Sequence, residues 1–208
     1  VLRNAVRTRG TLKEPTSYED KYSHPAELVA LLKTALPKGT LESVLKADNE
    51  APDTVIQVNT LKTDMGSLVK RLEAEGVQSR PHCWMENCLV LSGTGSLEQL
   101  PSFREGFYYV QDPASRLSVL CAELKPGMAV LDCCAAPGGK SFAAAMAMGG
   151  QGSITSCDVH AHKIPLIESG AARLGISNLK AQLRDASVFV PNCEEQFDAV
   201  IVDAPCSG

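Results

Sequence analysis

The sequence predicts an α/β fold, and three observations predict it. After Gly127 short apolar strands alternate with helical segments, the rhythm of crossover connections in a parallel sheet. A glycine loop, Pro137-Gly138-Gly139-Lys140, lies between the first of those strands and its helix. Ahead of it, Thr54–Thr60 is dense in β-branched residues and opens a smaller unit of mixed strands and helices.

The first 50 residues read as helical. Arg3, Arg7, Arg9 and Lys13 precede the first acid, Glu14, as a solvated basic terminus would. The start, Val1-Leu2-Arg3-Asn4, has no methionine and no basic-then-apolar signal region. Secretion is therefore not expected, and a chain cut from a longer one is. Ser23 is the expected N-cap of a helix with Pro25 in its first turn. Leu28, Leu31, Leu32 and Leu36 would form its apolar face, and Pro37-Lys38-Gly39 stops it. A second short helix, capped by Thr40, would turn Leu41, Val44 and Leu45 inward. Residues 1–50 thus read as linker helices without a core of their own.

Residues 51–111 read as a small α+β unit. Thr54–Thr60 is a strand, and Thr63 caps a helix whose Leu68, Val69 and Leu72 recur at helical spacing until Gly76. Short strands follow around Val77–Arg80, Cys88–Leu91 and Phe107–Val110. Trp84 and Tyr108-Tyr109 could stack on bases or fill this unit's core. Lys62, Lys70, Arg71 and Arg80 could face phosphates or form a solvated face.

Residues 112–208 hold the parallel sheet. Asp112-Pro113 starts a capped helix reaching about Leu124, and Lys125-Pro126-Gly127 turns the chain. Strands are expected at Ala129–Cys133, Ser153–Cys157, Leu179–Leu183 and Ala199–Val202. Helices at Ser141–Met148 and His160–Leu174 separate the first three, with helices expected on both faces. Gly208 follows directly on the fourth strand and its loop, which predicts an uncovered edge prone to dimerisation or aggregation.

Composition excludes other classes. At 44% hydrophobic and 21% charged the chain is neither disordered nor collagen-like. A net charge of -4 excludes a surface that grips nucleic acid everywhere, though not a local basic patch. No window approaches the ~18 apolar residues of a membrane helix. The eight cysteines include no Cys-x-x-Cys pair, and His82, Cys83 and Cys88 form the one loose cluster. No metal site is expected; reduced thiols in a cytoplasmic protein are, most of them buried.

The chemistry sits in the glycine loop and three carboxylates. Amides at the start of the helix after the loop can face an anionic or electron-rich ligand. A phosphate loop needs Gly-x-x-x-x-Gly-Lys-Ser, and Gly139-Lys140-Ser141 supplies its end. Cys134 stands where its first glycine belongs, while Asp203 could hold magnesium. A doubly wound nucleotide domain instead predicts an acid after the second strand, for ribose hydroxyls, and polar groups after the third and fourth. Asp158, Asp185 and Asp203 stand at those places. Each alone also reads as a cap or loop acid. A scaffold that binds RNA without catalysis is the third alternative.

The order Cys134-Ala135-Ala136-Pro137-Gly138-Gly139-Lys140, Asp158, Asp185, then Asp203-Ala204-Pro205-Cys206-Ser207-Gly208 closely resembles the Sun/Fmu-type RNA cytosine-5 methyltransferases. It is most similar to their bacterial branch acting on small-subunit ribosomal RNA. The resemblance extends through Tyr22-Ser-His-Pro25, Val58-Asn-Thr-Leu-Lys62, Phe103-Arg-Glu-Gly106 and Val110-Gln-Asp-Pro-Ala-Ser115. It implies a Rossmann-like S-adenosylmethionine-dependent methyltransferase domain, C-terminally truncated, at 112–208, and an RNA-binding module at 51–111. The helices of 1–50 would follow a NusB-like domain that this chain lacks. Cys134–Lys140 would surround the methionine part of the cofactor, Asp158 would bind its ribose, and Asp185 would lie by the adenine. Asp203 would reach both the cofactor side and the target cytosine, and Pro205-Cys206 would line the base pocket. Gln57 and Lys163 stand where the family often has arginine.

Such residues have work to do. Carbon 5 of cytosine cannot attack a methyl sulfonium unaided, whereas a thiolate added at carbon 6 makes it able to. A carboxyl group, here Asp203, would assist at ring nitrogen 3. In the family the attacking cysteine lies in a downstream Thr-Cys motif, on a part this chain lacks, and the Pro-Cys thiol, Cys206, assists product release. The alternative makes Cys206 the nucleophile. The implied substrate is ribosomal RNA with an unpaired or flipped cytosine. The 208 residues alone are expected to bind cofactor weakly at best and not to methylate RNA.

Overall fold

The computed structural model describes residues 15–204 and divides after Pro52 into two compact units. The basic residues Arg3 to Lys13 and the Pro205-Cys206 pair lie outside the described residues. The first unit holds α1 (Tyr18–Tyr22), α2 (Ala26–Ala35) and α3 (Leu41–Ala47). Ser23 is not the N-cap of α2. It closes α1 in the left-handed conformation, φ 56°, and α2 begins after Pro25 with no side-chain cap. Thr40 likewise turns its hydroxyl to the Pro37 carbonyl instead of capping α3. The apolar face of α2 is also rotated. Val29, Leu32 and Leu36 join Tyr22, Leu41 and Leu45 in a small core, while Leu28 and Leu31 stand exposed. Both leucine-rich sets have helical spacing, and what lies opposite decides between them. These helices enclose a core where the sequence promised only a linker.

The second unit begins with β1 (Thr54–Val58), α4 (Met65–Ala74), β2 (Gln78–Pro81), β3 (Cys88–Ser92), α5 (Pro101–Arg104) and β4 (Tyr108–Val110). Its antiparallel sheet runs β2-β3-β1-β4, the ferredoxin-like order. The cap of α4 is Asp64, not Thr63. Its carboxylate accepts from the Ser67 amide at 2.9 Å, and Ser67 holds that carboxyl below the usual range. Consecutive residues of β4 face opposite ways. Tyr108 enters the cluster of Ile56, Leu68, Leu72 and Leu89, and Tyr109 enters the core of the following sheet. Neither is free to stack on a base; Trp84, 57% exposed, is.

That second core belongs to α6 (Pro113–Leu120), β5 (Ala129–Asp132), α7 (Gly139–Ala147), β6 (Ser153–Asp158), α8 (Ile164–Leu174), β7 (Leu179–Leu183) and β8 (Ala199–Ile201). The sheet is parallel throughout, ordered β7-β6-β5-β8. Asp112 caps α6 as expected, accepting from the Ala114 and Ser115 amides. The helix ends early, at Leu120, and Glu123 then takes a positive φ of 47°. Val130 and Ile154 face Phe142, Ala144, Ala171 and Leu174, so α7 and α8 cover one face. Val200, next to Ala199 and so on the other face, is 55% exposed. Among the described residues no α-helix spans β7 to β8; a single 3-10 turn, Pro191–Cys193, does, so the expectation of helices on both faces fails here. Its segment carries Pro191 and no apolar period at helical spacing.

Side chains of the first sheet's module close the end of α8. Asn59 Nδ2 donates to the carbonyls of Gly106 at 2.7 Å and Leu174 at 2.8 Å. Lys62 Nζ donates to the Glu105 and Arg173 carbonyls, each at 2.8 Å. Arg173 answers by donating to the Phe103 and Tyr108 carbonyls and lying 3.8 Å from the Phe103 ring centroid. The last carbonyls of a helix have no partner within it, and here another module supplies them. Lys62, Arg71 and Arg80 are thereby committed, to carbonyls, to Glu75 and Glu105, and to Asp53 respectively. A free phosphate-facing patch of these four reduces to Lys70.

Of the cysteines described, Cys88 and Cys157 are buried, Cys83 and Cys121 exposed, and Cys133, Cys134 and Cys193 intermediate. Fewer are buried than expected, because the loop cysteines sit at strand ends. Among the described residues no cluster of His, Cys, Asp and Glu is placed to hold a metal, and no helix is long and apolar enough to cross a membrane.

Candidate functional site

The carboxyl ends of β5 and β6 build the site. Asp132 ends β5, and Cys133–Gly138 carries the chain into α7. The loop is tied down on both sides. The Cys133 amide donates to the Ile201 carbonyl of β8 at 2.9 Å and the Ala135 amide to the Cys157 carbonyl of β6 at 2.8 Å. Gly138 turns with φ 116°, and a Cβ there would strike the Phe142 ring. Gly139 then starts α7 with its amides unpaired within the helix, an electropositive end.

Beneath the loop lies a buried polar knot. Ser141 Oγ donates to Asp132 Oδ2 at 2.7 Å and meets Ser156 Oγ at 2.7 Å, joining β5, α7 and β6. All three residues are fully buried, and Asp132 Oδ1 has no partner among the described residues. The sequence reading gave Asp132 no role and Ser141 only that of ending a possible phosphate loop. The phosphate-loop reading fails on this knot, because a sealed Ser141 hydroxyl cannot reach a magnesium ion.

Burial pushes the Asp132 carboxyl above the usual carboxylate range, against the Ser141 bond and the Lys140 charge that pull it down. The folded state therefore holds this proton more tightly than the unfolded one. Its contribution to stability is full below about pH 4, the ordinary value, and is lost as pH rises through the elevated one. Urea unfolding of wild type and Asp132→Asn across pH 3.5–8 should show wild type losing ground to the variant as pH rises. A difference independent of pH would sink this account.

The expected site residues are partly brought together. Cys134, Ala135, Ala136, Pro137, Gly139, Lys140 and Asp203 line one cavity of about 280 Å³, joined by Gln111, Asp112 and Ser115. Lys140 Nζ lies 2.5 Å from Asp203 Oδ2. Asp158 stands at the end of β6, 6% exposed, and accepts from the His160 amide at 2.9 Å and the Ala136 amide at 3.4 Å. Asp185, beyond β7, is exposed and accepts twice from Ser187 through Oδ1, which holds its carboxyl below the usual range. Gly138 shapes the loop from behind the cavity, and Cys206 lies outside the described residues. Burial first, and then Asp132, Asp158 and Asp203, push the Cys134 thiol up, so it is no thiolate. Gln57 is fully buried and accepts from Arg116 at 2.6 Å, which removes it from any RNA contact. Sequence reading missed Gln111; its position just before the Asp112 cap was the available signal.

Comparison with known proteins places this arrangement among relatives. Residues 119–208 match the family model described as 16S rRNA methyltransferase RsmB/F, and residues 24–98 match the ferredoxin-like domain of the same methyltransferases. The probable ribosomal RNA small subunit methyltransferase B of Bacillus subtilis is 36% identical over all of this chain, which covers 47% of that protein. The chain thus spans about half the length of the curated relatives it matches. A methyltransferase homologue from Pyrococcus horikoshii superposes with a TM-score of 0.80 at 28% identity, over 92% of this chain and 62% of its own. NSun6 from the same organism, solved with SFG, shares the fold at a TM-score of 0.78 and 20% identity, over 88% of this chain and 71% of its own.

Proposed function

The chain belongs to the RsmB/F family of 16S rRNA methyltransferases, and from that premise we propose that it holds S-adenosylmethionine for methylation of carbon 5 of a cytosine in small-subunit ribosomal RNA. The observation that carries this reading is the cavity shared by Cys134–Pro137, Gly139, Lys140 and Asp203 at the strand ends. Its wall fits a zwitterionic amino acid with a nucleoside attached. The start of α7 and Lys140 offer positive charge, a buried acceptor waits on Gln111, and Asp158 stands a strand away. When bound, S-adenosylmethionine supplies the methyl group as a sulfonium.

The chain's own residues do the rest. Cys134–Lys140 surround the methionine part, Asp158 takes the ribose hydroxyls, and Asp185 keeps Oδ2 for the adenine edge. Asp203, steadied by Lys140 and 61% exposed, faces outward to ring nitrogen 3 of the cytosine. The module of β1–β4 meets the RNA, with Trp84 as its exposed aromatic. Cys206 assists product release. None of the eight cysteines follows a threonine, so the attacking thiol of the family's Thr-Cys motif is not among these 208 residues. We propose that they bind cofactor without completing transfer, in the cytoplasm where ribosomal RNA is met.

Calorimetry tests the reading directly. The chain should bind S-adenosylmethionine and not ATP with magnesium; the reverse would overturn the proposal. Asp158→Ala should weaken S-adenosylmethionine by about 10- to 150-fold, the ~1.5–3 kcal/mol of lost charge-assisted bonds. With tritiated cofactor and unmodified ribosomal RNA no label should pass. Transfer that disappears in Cys206→Ala would make Cys206 the nucleophile instead.

A further inference from the structure

We propose that Gln111 receives the α-ammonium of the bound cofactor on its side-chain oxygen; the inference rests on the cofactor reading above. Gln111 is 8% exposed, and its Oε1 has no partner among the described residues. A buried acceptor left unmade is costly, which points to a donor supplied from outside the chain. The side chain lines the cavity with Lys140 and Asp203. It also lies flat on the start of α7, since a Cβ on Gly139 would come within 3.2 Å of its Nε2.

Its backbone is anchored. Gln57 Nε2 donates to the Gln111 carbonyl at 3.0 Å, and the Gln111 amide donates to Val55 at 3.3 Å. Gln57 is in turn fixed by Arg116, which also donates to the Glu86 carbonyl at 2.8 Å. The carboxamide is therefore presented from a rigid base.

Charge assigns the two ends of the amino acid. The carboxylate suits the α7 amides and Lys140. The ammonium has only donors and needs an acceptor. Among the carboxylates of the wall, Asp203 is paired with Lys140 at 2.5 Å, and Asp112 Oδ1 accepts from the Ala114 amide at 2.7 Å and the Ser115 amide at 3.3 Å. Gln111 Oε1 is the buried acceptor left over. Being neutral, it does not compete with Asp203 for Lys140.

The test is titration calorimetry on the full chain with three ligands. S-adenosylhomocysteine carries both ammonium and carboxylate, its decarboxylated analogue only the ammonium, and methylthioadenosine neither. Gln111→Leu should weaken the first two alike, by about 10- to 150-fold, and leave methylthioadenosine within about twofold. Unchanged methylthioadenosine binding also certifies a folded site. Should Gln111→Leu not fold, Gln111→Asn, which withdraws the oxygen by one methylene, must give the same pattern. Equal loss for all three ligands, loss for S-adenosylhomocysteine alone, or no loss overturns the assignment. Wild type that binds no S-adenosylhomocysteine fails the cofactor reading itself, and this inference with it.

Discussion

Gly106→Val should destabilise the protein by about 4 kcal/mol and lower its melting temperature by roughly 8–16 °C. Gly106 has a φ of 75°, and a Cβ there would overlap the backbone carbonyl of Arg173. A β-branched residue in that region costs ~1–3 kcal/mol in strain alone. The overlap then pushes apart the contact in which Asn59 serves both Gly106 and Leu174, leaving buried carbonyls without donors at ~1–3 kcal/mol each. The displaced atom is backbone, so no rotamer change relieves it. Gly95→Ala is the control, because a Cβ at Gly95 meets nothing within 4 Å. Thermal and urea unfolding measure both, and a Gly106→Val protein that melts with wild type refutes the interlock.

The second large effect falls on ligand affinity. Gly138→Val should weaken S-adenosylmethionine at least about 100-fold, ~2.7 kcal/mol, by calorimetry. Its φ of 116° is open to glycine, and a Cβ would run into the Phe142 ring. That ring cannot retreat: a Cβ on Gly170 would strike it too, and Tyr109 stands edge-on with centroids 6.0 Å apart. The loop must move instead, giving up the Gly138 amide bond to the Ala135 carbonyl at 2.6 Å and the cavity wall with it. Circular dichroism separates loss of site from loss of fold. Wild-type affinity in a folded Gly138→Val protein would mean the ligand sits elsewhere.

Much of this architecture was legible in the residues, for reasons that also explain what was not. Strands such as Ser153–Asp158 lie between helices with clear periods and turn signals, and period is a local property. The strand-end acids Asp158 and Asp203 could be placed because topology fixes where strands end. Caps were less readable: Thr63 and Asp64 are adjacent and each can accept a capping bond, so spacing alone could not choose between them. The face of α2 was misread because Leu28 and Val29 are one residue apart on overlapping helical stripes, and Tyr22 of α1 decides the side. Gln111 and the Asp132–Ser141–Ser156 knot were invisible for another reason. Their meaning comes from partners 9 to 54 positions away in the chain, brought together by the fold alone.

The cap that Asn59 and Lys62 place on α8 also sets a timetable. Asn59 and Leu174 are 115 residues apart. At the ~5–20 residues per second of synthesis, the carbonyl that Asn59 awaits leaves the ribosome roughly 6–23 s after Asn59 itself. During that interval β1–β4 can pair and Tyr109 can meet Phe142, but Asn59 has only Gly106 to hold. The nascent chain therefore passes through a stage with an exposed, half-satisfied amide, and only the arrival of α8 ends it. Synonymous codons that slow elongation between residues 112 and 174 should lengthen that exposed stage and lower soluble yield, with no change in the finished protein.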